Sequence, residues 1–211
     1  MIIAVDGPTA SGKGTLAKSL ARYFDLPHMD TGLLYRATGY QVALNSCNPD
    51  DPEDALRATS FPESLLDDPH LRDESTGALA SRVSVHPQVR KALFERQRSF
   101  AMQEGGAILD GRDIGTVIAP DADVKLFVTA SVAERARRRG AEMRSRGMDV
   151  TDAAIAADLK ARDQRDSERK NAPLEMAGDA LLLDTTDLSP QEALARAISW
   201  IQERMGKGAE E

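Results

Sequence analysis

The 211-residue chain has one cysteine, Cys47, so no internal disulfide can form; a lone thiol suits a reducing compartment and a packing role. Histidine is nearly as scarce. His28, His70 and His86 fall at no ligand spacing, so a transition metal held by the protein is not expected. Aromatic residues make up only 4% of the chain, which leaves few platforms for base stacking; Tyr23 and Trp200 lie on helical patterns and are assigned to packing. Basic charge is outweighed, 27 residues against 34 acidic, giving a net charge of −7. Broad attraction to nucleic acid or to an anionic membrane is therefore not expected, and bound anions must rely on local arginines. Long apolar runs are missing as well. No segment could span a bilayer, and the first strand pattern starts at Ile2 without a basic and apolar leader, so the expectation is a cytoplasmic protein with no signal peptide.

What is present begins with an apolar run, Ile2 to Val5, followed by Gly7-Pro8-Thr9-Ala10-Ser11-Gly12-Lys13-Gly14-Thr15 and then a helical pattern. Strand, glycine-rich loop and helix in that order form a P-loop. Glycines let successive N–H groups turn into one concavity, to which the helix adds its unpaired amides and positive dipole end. A triphosphate fits there, with residues Gly7 to Thr15 as the ATP-binding set and Lys13 reaching the β- and γ-phosphates. The Thr15 hydroxyl would sit near Mg²⁺, directly or through water. One departure is visible: Gly14 stands where the P-loop pattern has Ser or Thr, and this G-K-G-T form resembles the nucleoside monophosphate kinases.

Further along, Leu16, Leu20 and Phe24 mark a helix face, and Asp30-Thr31 offers an N-cap for a helix to about Leu44. Residues 45–73 turn polar and proline-rich, without the alternation of strands. Helices are expected over Glu74 to Val83, Gln88 to Met102, Val132 to about Arg146, Thr151 to about Arg169, and from Ser189-Pro190-Gln191-Glu192 onward. Strands are expected near residues 2, 28, 107, 124 and 181. The fold class is therefore α/β, a doubly wound five-stranded parallel sheet in a single domain over 1–211, with an insert at 45–85 and an arginine-rich lid at about 135–165.

Phosphoryl transfer asks a protein mainly to hold two anions in line and to neutralise the moving charge. Arginine does both. Arg36 and Arg112, each beyond a strand end, are candidate clamps for an acceptor phosphate, and surface ion pairs are the competing reading of each. The run Arg135, Arg137, Arg138, Arg139, Arg144 and Arg146 reads as a solvated face, a nucleic-acid patch or a lid closing on the triphosphate. The acidic whole disfavours the patch, and the hinge-like Gly147 favours the lid.

Taken together, Gly7 to Thr15, Asp30-Thr31-Gly32 with Tyr35-Arg36, Leu109-Asp110-Gly111-Arg112-Asp113-Ile114-Gly115-Thr116, and Arg162-Asp163-Gln164-Arg165-Asp166 with Arg169 resemble bacterial cytidylate kinases over nearly the whole chain. The resemblance implies transfer of the ATP γ-phosphate to CMP or dCMP with Mg²⁺, in pyrimidine nucleotide metabolism. It implies that Arg36 and Arg112 hold the CMP phosphate and that Ser81, Arg90 and Asp113 meet the cytosine. Arg162, Asp166 and Arg169, with Lys13, serve the transfer site, Asp166 also facing the sugar. ATP and CMP or dCMP are then the only partners, with no nucleic acid and no membrane, and the working unit is a monomer. Cytosine presents an amino donor and ring acceptors, and uracil reverses them, a mismatch worth on the order of 10⁴ in discrimination. The chain departs from the long form of that family, whose insert contains a small sheet; the insert here looks truncated. The rival readings are a P-loop kinase for an adenylate, uridylate or shikimate-type acceptor, and an RNA-coupled P-loop binding module.

Overall fold

The computed structural model describes residues 1–207. The chain divides into two compact units, one of Met1–His28 with the chain from Ala101 on, the other of Met29–Phe100.

In the first unit, β1 (Ile2–Asp6) leads through the loop into α1 (Lys13–Phe24), and β2 (His28–Asp30) starts at the boundary. After the second unit come β3 (Ala107–Gly111), β4 (Val124–Thr129), α6 (Val132–Ser145), α7 (Asp152–Glu168), β5 (Leu181–Asp184) and α8 (Pro190–Lys207). The five strands run in the order β2-β3-β1-β4-β5, with β1 parallel to β3 and β4, and β4 parallel to β5. This is the expected five-stranded parallel α/β sheet with flanking helices. Ile3, Val5, Ile108, Leu126 and Leu183 pack with Leu16 and Leu20 of α1 and Ala193, Ala197 and Ile201 of α8 into one buried core. On α8, Ala193, Ala197 and Ile201 are buried, and Leu194 and Ile198 pack half-buried against the same core. The start of α8 follows the capping-box pattern, with Glu192 accepting from Ser189 N at 2.8 Å and Glu192 N donating to Ser189 Oγ at 3.2 Å.

Register places the chemistry. Asp6 pairs with Gly111 on one side and Phe127 on the other, so the segments after β1, β3 and β4 leave the sheet at one rim. The chain from β1 leads to strands on one side while β4 lies on the other, the arrangement that opens a crevice at the carboxyl ends.

The second unit is helical. α2 (Thr31–Leu44), α3 (Pro52–Arg57), α4 (Glu74–Val83) and α5 (Pro87–Ala101) surround Leu34, Val42, Phe61, Leu71, Val83, Val89 and Leu93. Asp30 occupies the N-cap position of α2 but makes no side-chain cap bond, unlike Asp51, which caps α3 ahead of Pro52. Residues 45–73 form α3 and three short 3₁₀ turns and no strand, in keeping with the absence of alternation. Among the described residues no helix is long and apolar enough to cross a membrane.

Candidate active site

At Gly7 the chain turns against β4 so tightly that a Cβ would lie 2.0 Å from the Val128 carbonyl oxygen, and only glycine allows it. Ala10, a non-glycine residue, has φ 62°, and Gly12 has φ 87°. α1 then opens with no side-chain cap, so its N-terminus presents main-chain N–H groups and positive dipole to the loop. Lys13 Nζ donates to the Pro8 carbonyl at 3.4 Å, which keeps the ammonium over the loop. Ser11 is fully buried, and its Oγ has no partner among the described residues, as suits a hydroxyl lining an anion cradle.

Gly14 lies beside a carboxylate. A Cβ there would stand 3.5 Å from Asp110 Oδ2, in a buried side chain whose other oxygen is hydrogen-bonded to His28 Nε2 at 2.7 Å. Asp110 was not among the expected site residues; its signal was a polar residue closing an apolar strand. With the exposed Thr15 hydroxyl it supplies hard oxygen donors, the kind Mg²⁺ takes alongside phosphate and water. No group of three or more His, Cys, Asp or Glu among the described residues could cage a metal unaided.

Arg112 leaves β3 toward the loop, donating from Nη2 to Thr9 Oγ1 at 2.6 Å and from Nε to Asp166 of α7. Burial of Asp166 works against its charge, but the Arg112 pair, helped by Arg162 and Arg169, holds its pKa below the ordinary carboxylate range. Asp113 forms a buried ion pair with Arg169 at 3.7 Å. Structure thus brings Arg112, Asp113, Arg162, Asp166 and Arg169 together at the rim. Asp6, also unforeseen, accepts from Ile114 N at 2.9 Å and Gly115 N at 2.8 Å, which ties the turn after Asp113 to the foot of the phosphate loop.

A cavity of about 350 Å³ lies beside the loop, lined among others by Gly12, Thr15, Leu16, Arg138, Thr185 and Pro190. Arg138 donates to the Thr185 hydroxyl at 3.0 Å and carbonyl at 2.6 Å, and Thr185 Oγ1 donates to the Ser11 carbonyl at 3.0 Å. Glu134 binds Arg137 and Arg138, which lower its pKa to about 2 against a smaller effect of burial. One member of the arginine run is buried. Arg135 is 4% exposed and paired with Asp163 of α7, beside the small core of Ala136, Ile155 and Leu159 that α6 and α7 share.

In the second unit, Arg36 Nη1 donates to the carbonyls of Leu71 at 2.7 Å and Asp73 at 3.0 Å, both at the end of the short insert. Its guanidinium lies over Gly77 of α4, where a Cβ would come within 2.8 Å of Nη2. Ser81 is buried on α4, and its Oγ has no partner among the described residues. The Arg90 guanidinium sits 5.4 Å from the centre of the Tyr35 ring.

Comparison with known proteins follows the same lines. The family model described as cytidylate kinase matches residues 3–203. Proteins named cytidylate kinase are similar to this chain: that of Cereibacter sphaeroides is 51% identical over 99% of this chain and 98% of its own. That of Granulibacter bethesdensis is 53% identical over 93% and 94%. Among solved structures, an uncharacterized protein from Eubacterium ventriosum superposes with a TM-score of 0.53 at 16% identity, covering 96% of this chain and 98% of that one. A protein from Chloroflexus aurantiacus gives 0.50 at 19% identity over 98% and 96%. Both structures speak to the fold alone.

Proposed function

The chain belongs to the cytidylate kinase family, and from that premise we propose that it transfers the γ-phosphate of ATP to CMP or dCMP, giving ADP and CDP or dCDP. The observation that carries the reading is the hydrogen bond from Arg112 to Thr9: a guanidinium suited to an acceptor phosphate is anchored on the loop suited to the donor.

In this reading the amides of Gly7 to Thr15 hold the ATP phosphates, and Lys13 follows the charge that develops on the group in flight. The cavity beside Arg138 and Thr185 takes the donor nucleoside. Thr15 and Asp110 are the side chains that would hold Mg²⁺, directly or through water, and the ion held there would supply positive charge to the phosphates. Arg112 grips the acceptor phosphate, Asp113 accepts from the cytosine amino group, and Asp166, with Oδ2 on Arg112, offers its other oxygen to the sugar hydroxyl while Arg162 and Arg169 balance its charge. Within the second unit, the family resemblance assigns Arg36 to phosphate binding and Ser81 and Arg90 to base recognition. The α6–α7 hairpin, about 135–165, serves as the lid. The reading places the enzyme in the cytoplasm as a monomer, where ATP is available and Cys47 stays reduced.

Coupled measurement of ADP release with CMP, dCMP, UMP and AMP tests the assignment. CMP and dCMP should be phosphorylated far better than the others. Equal turnover of UMP overturns the base recognition.

A further inference from the structure

Two arginines converge on one residue of the phosphate loop. Arg135, in the first turn of α6, donates from Nε to the Ala130 carbonyl at 3.0 Å and from Nη1 to the Thr9 carbonyl at 3.1 Å. Arg112 donates to the hydroxyl of the same Thr9. Each arginine is gripped from α7, Arg135 by both oxygens of Asp163 at 3.1 and 2.6 Å, Arg112 by Asp166. Asp163 and Asp166 stand three residues apart and share a helix face. The contacts close a ring that runs from α7 through Asp163, Arg135, Thr9, Arg112 and Asp166 back to α7.

We propose that this ring makes Thr9 and Arg135 positioning residues for phosphoryl transfer: Arg135 and Asp163 fix the loop at Thr9, and the Thr9 hydroxyl sets the plane of the Arg112 guanidinium against the acceptor phosphate. The inference rests on the reading of Arg112 as that clamp. A guanidinium held at one edge can swing about its stem; held at Nε by Asp166 and at Nη2 by Thr9, it is fixed in plane. The loop needs an outside brace at this point, since the next residue, Ala10, holds a left-handed φ of 62°. Arg135 supplies one from a helix that makes no part of the loop. Placement matters because a shift of about 1 Å in an in-line reaction can cost about 10²-fold in rate.

The test compares Thr9→Val, which removes the hydroxyl and keeps the shape, with Thr9→Ser, which keeps the hydroxyl. Each is made in the parent and in Arg112→Ala, and CMP kinetics are read beside calorimetric ATP affinity. Thr9→Val should lower kcat/KM for CMP by about ten- to a hundredfold, the loss of one charge-assisted hydrogen bond. Thr9→Ser should stay within about threefold of the parent, and in Arg112→Ala the valine should cost less than about threefold, because its effect runs through Arg112. Arg135→Lys, which keeps a buried cation for Asp163, should reproduce the CMP-side loss with ATP affinity within about threefold of the parent. Additive losses in Arg112→Ala, a serine as damaging as the valine, or an Arg135→Lys defect confined to ATP affinity each overturn the ring. Parent-like CMP turnover by Arg112→Ala overturns both the clamp and the ring, whereas a crippled Arg112→Ala beside a parent-like Thr9→Val overturns the ring alone.

Discussion

Replacing Asp6 by asparagine takes a charge out of the buried end of β1 and nearly preserves the side chain's shape. Asp6 is 5% exposed, and its two oxygens go to backbone amides rather than to a cation. Burial raises its pKa from 3.8 to about 6; the amides of Gly115 and Ile114 and the charge of Lys13 act in the opposite direction, and Asp113 adds to the rise. Below the unfolded value both folded and unfolded chains carry the proton, and the neutral group's stabilising contribution is fully present. As pH climbs through about 6 the folded chain must ionise Asp6 against its surroundings, and that contribution is lost. The distance between the two pKa values is worth about 3 kcal/mol. Asparagine does not titrate, and its one misdirected NH₂ facing an amide is a constant penalty. Urea unfolding of both proteins between about pH 4 and pH 7.5 therefore gives a direct reading. The stability of the parent minus that of Asp6→Asn should fall by about 2.5 kcal/mol as pH rises across this window, most of the full difference. Taking the difference removes the carboxylates that behave in the other sense, such as Asp166 and Glu134, whose lowered pKa values add stability above their unfolded pKa. A difference that stays level, or grows with pH, would refute the claim that the fold disfavours this charge.

Two further substitutions probe the two anion sites separately. Lys13→Ala should lower kcat by about 10²- to 10³-fold with a smaller change in CMP affinity, as for a group that acts on charge in the transition state; near-normal turnover in the ADP-release assay contradicts that role. Gly77→Ala should push the Arg36 guanidinium off its perch, since the new methyl group would start 2.8 Å from Nη2. The expected outcome is a KM for CMP raised by about tenfold with KM for ATP unchanged, about the cost of one misplaced charged hydrogen bond; an unchanged KM for CMP removes Gly77 from the account.

Much of this molecule is legible in one dimension. The phosphate loop declares itself because its glycines, its lysine and the flanking strand and helix patterns are contiguous. The helices declare themselves because apolar residues recur at helical spacing, and Ser189-Pro190-Gln191-Glu192 opens α8 because a capping box involves only neighbours. The lack of strands in 45–73 was equally local, since prolines and missing alternation argue against a ladder wherever the segment lies. Partners of buried charges are another matter. Arg135 is one of six arginines between positions 135 and 146, and nothing in its neighbours distinguishes it; it is buried because α6 packs on α7, and it meets Thr9 across 126 residues of sequence. Asp6 looks like a polar stop at a strand's end until the β1–β3 register brings the amides of Ile114 and Gly115 to it across 108 and 109 residues. Sequence alone thus determined the elements and the donor loop, which depend on short-range periodicity and turn chemistry. Only the tertiary structure decided which carboxylate holds which arginine, because that choice follows from strand order and helix packing, and a side chain's burial is set by what the rest of the chain lays over it.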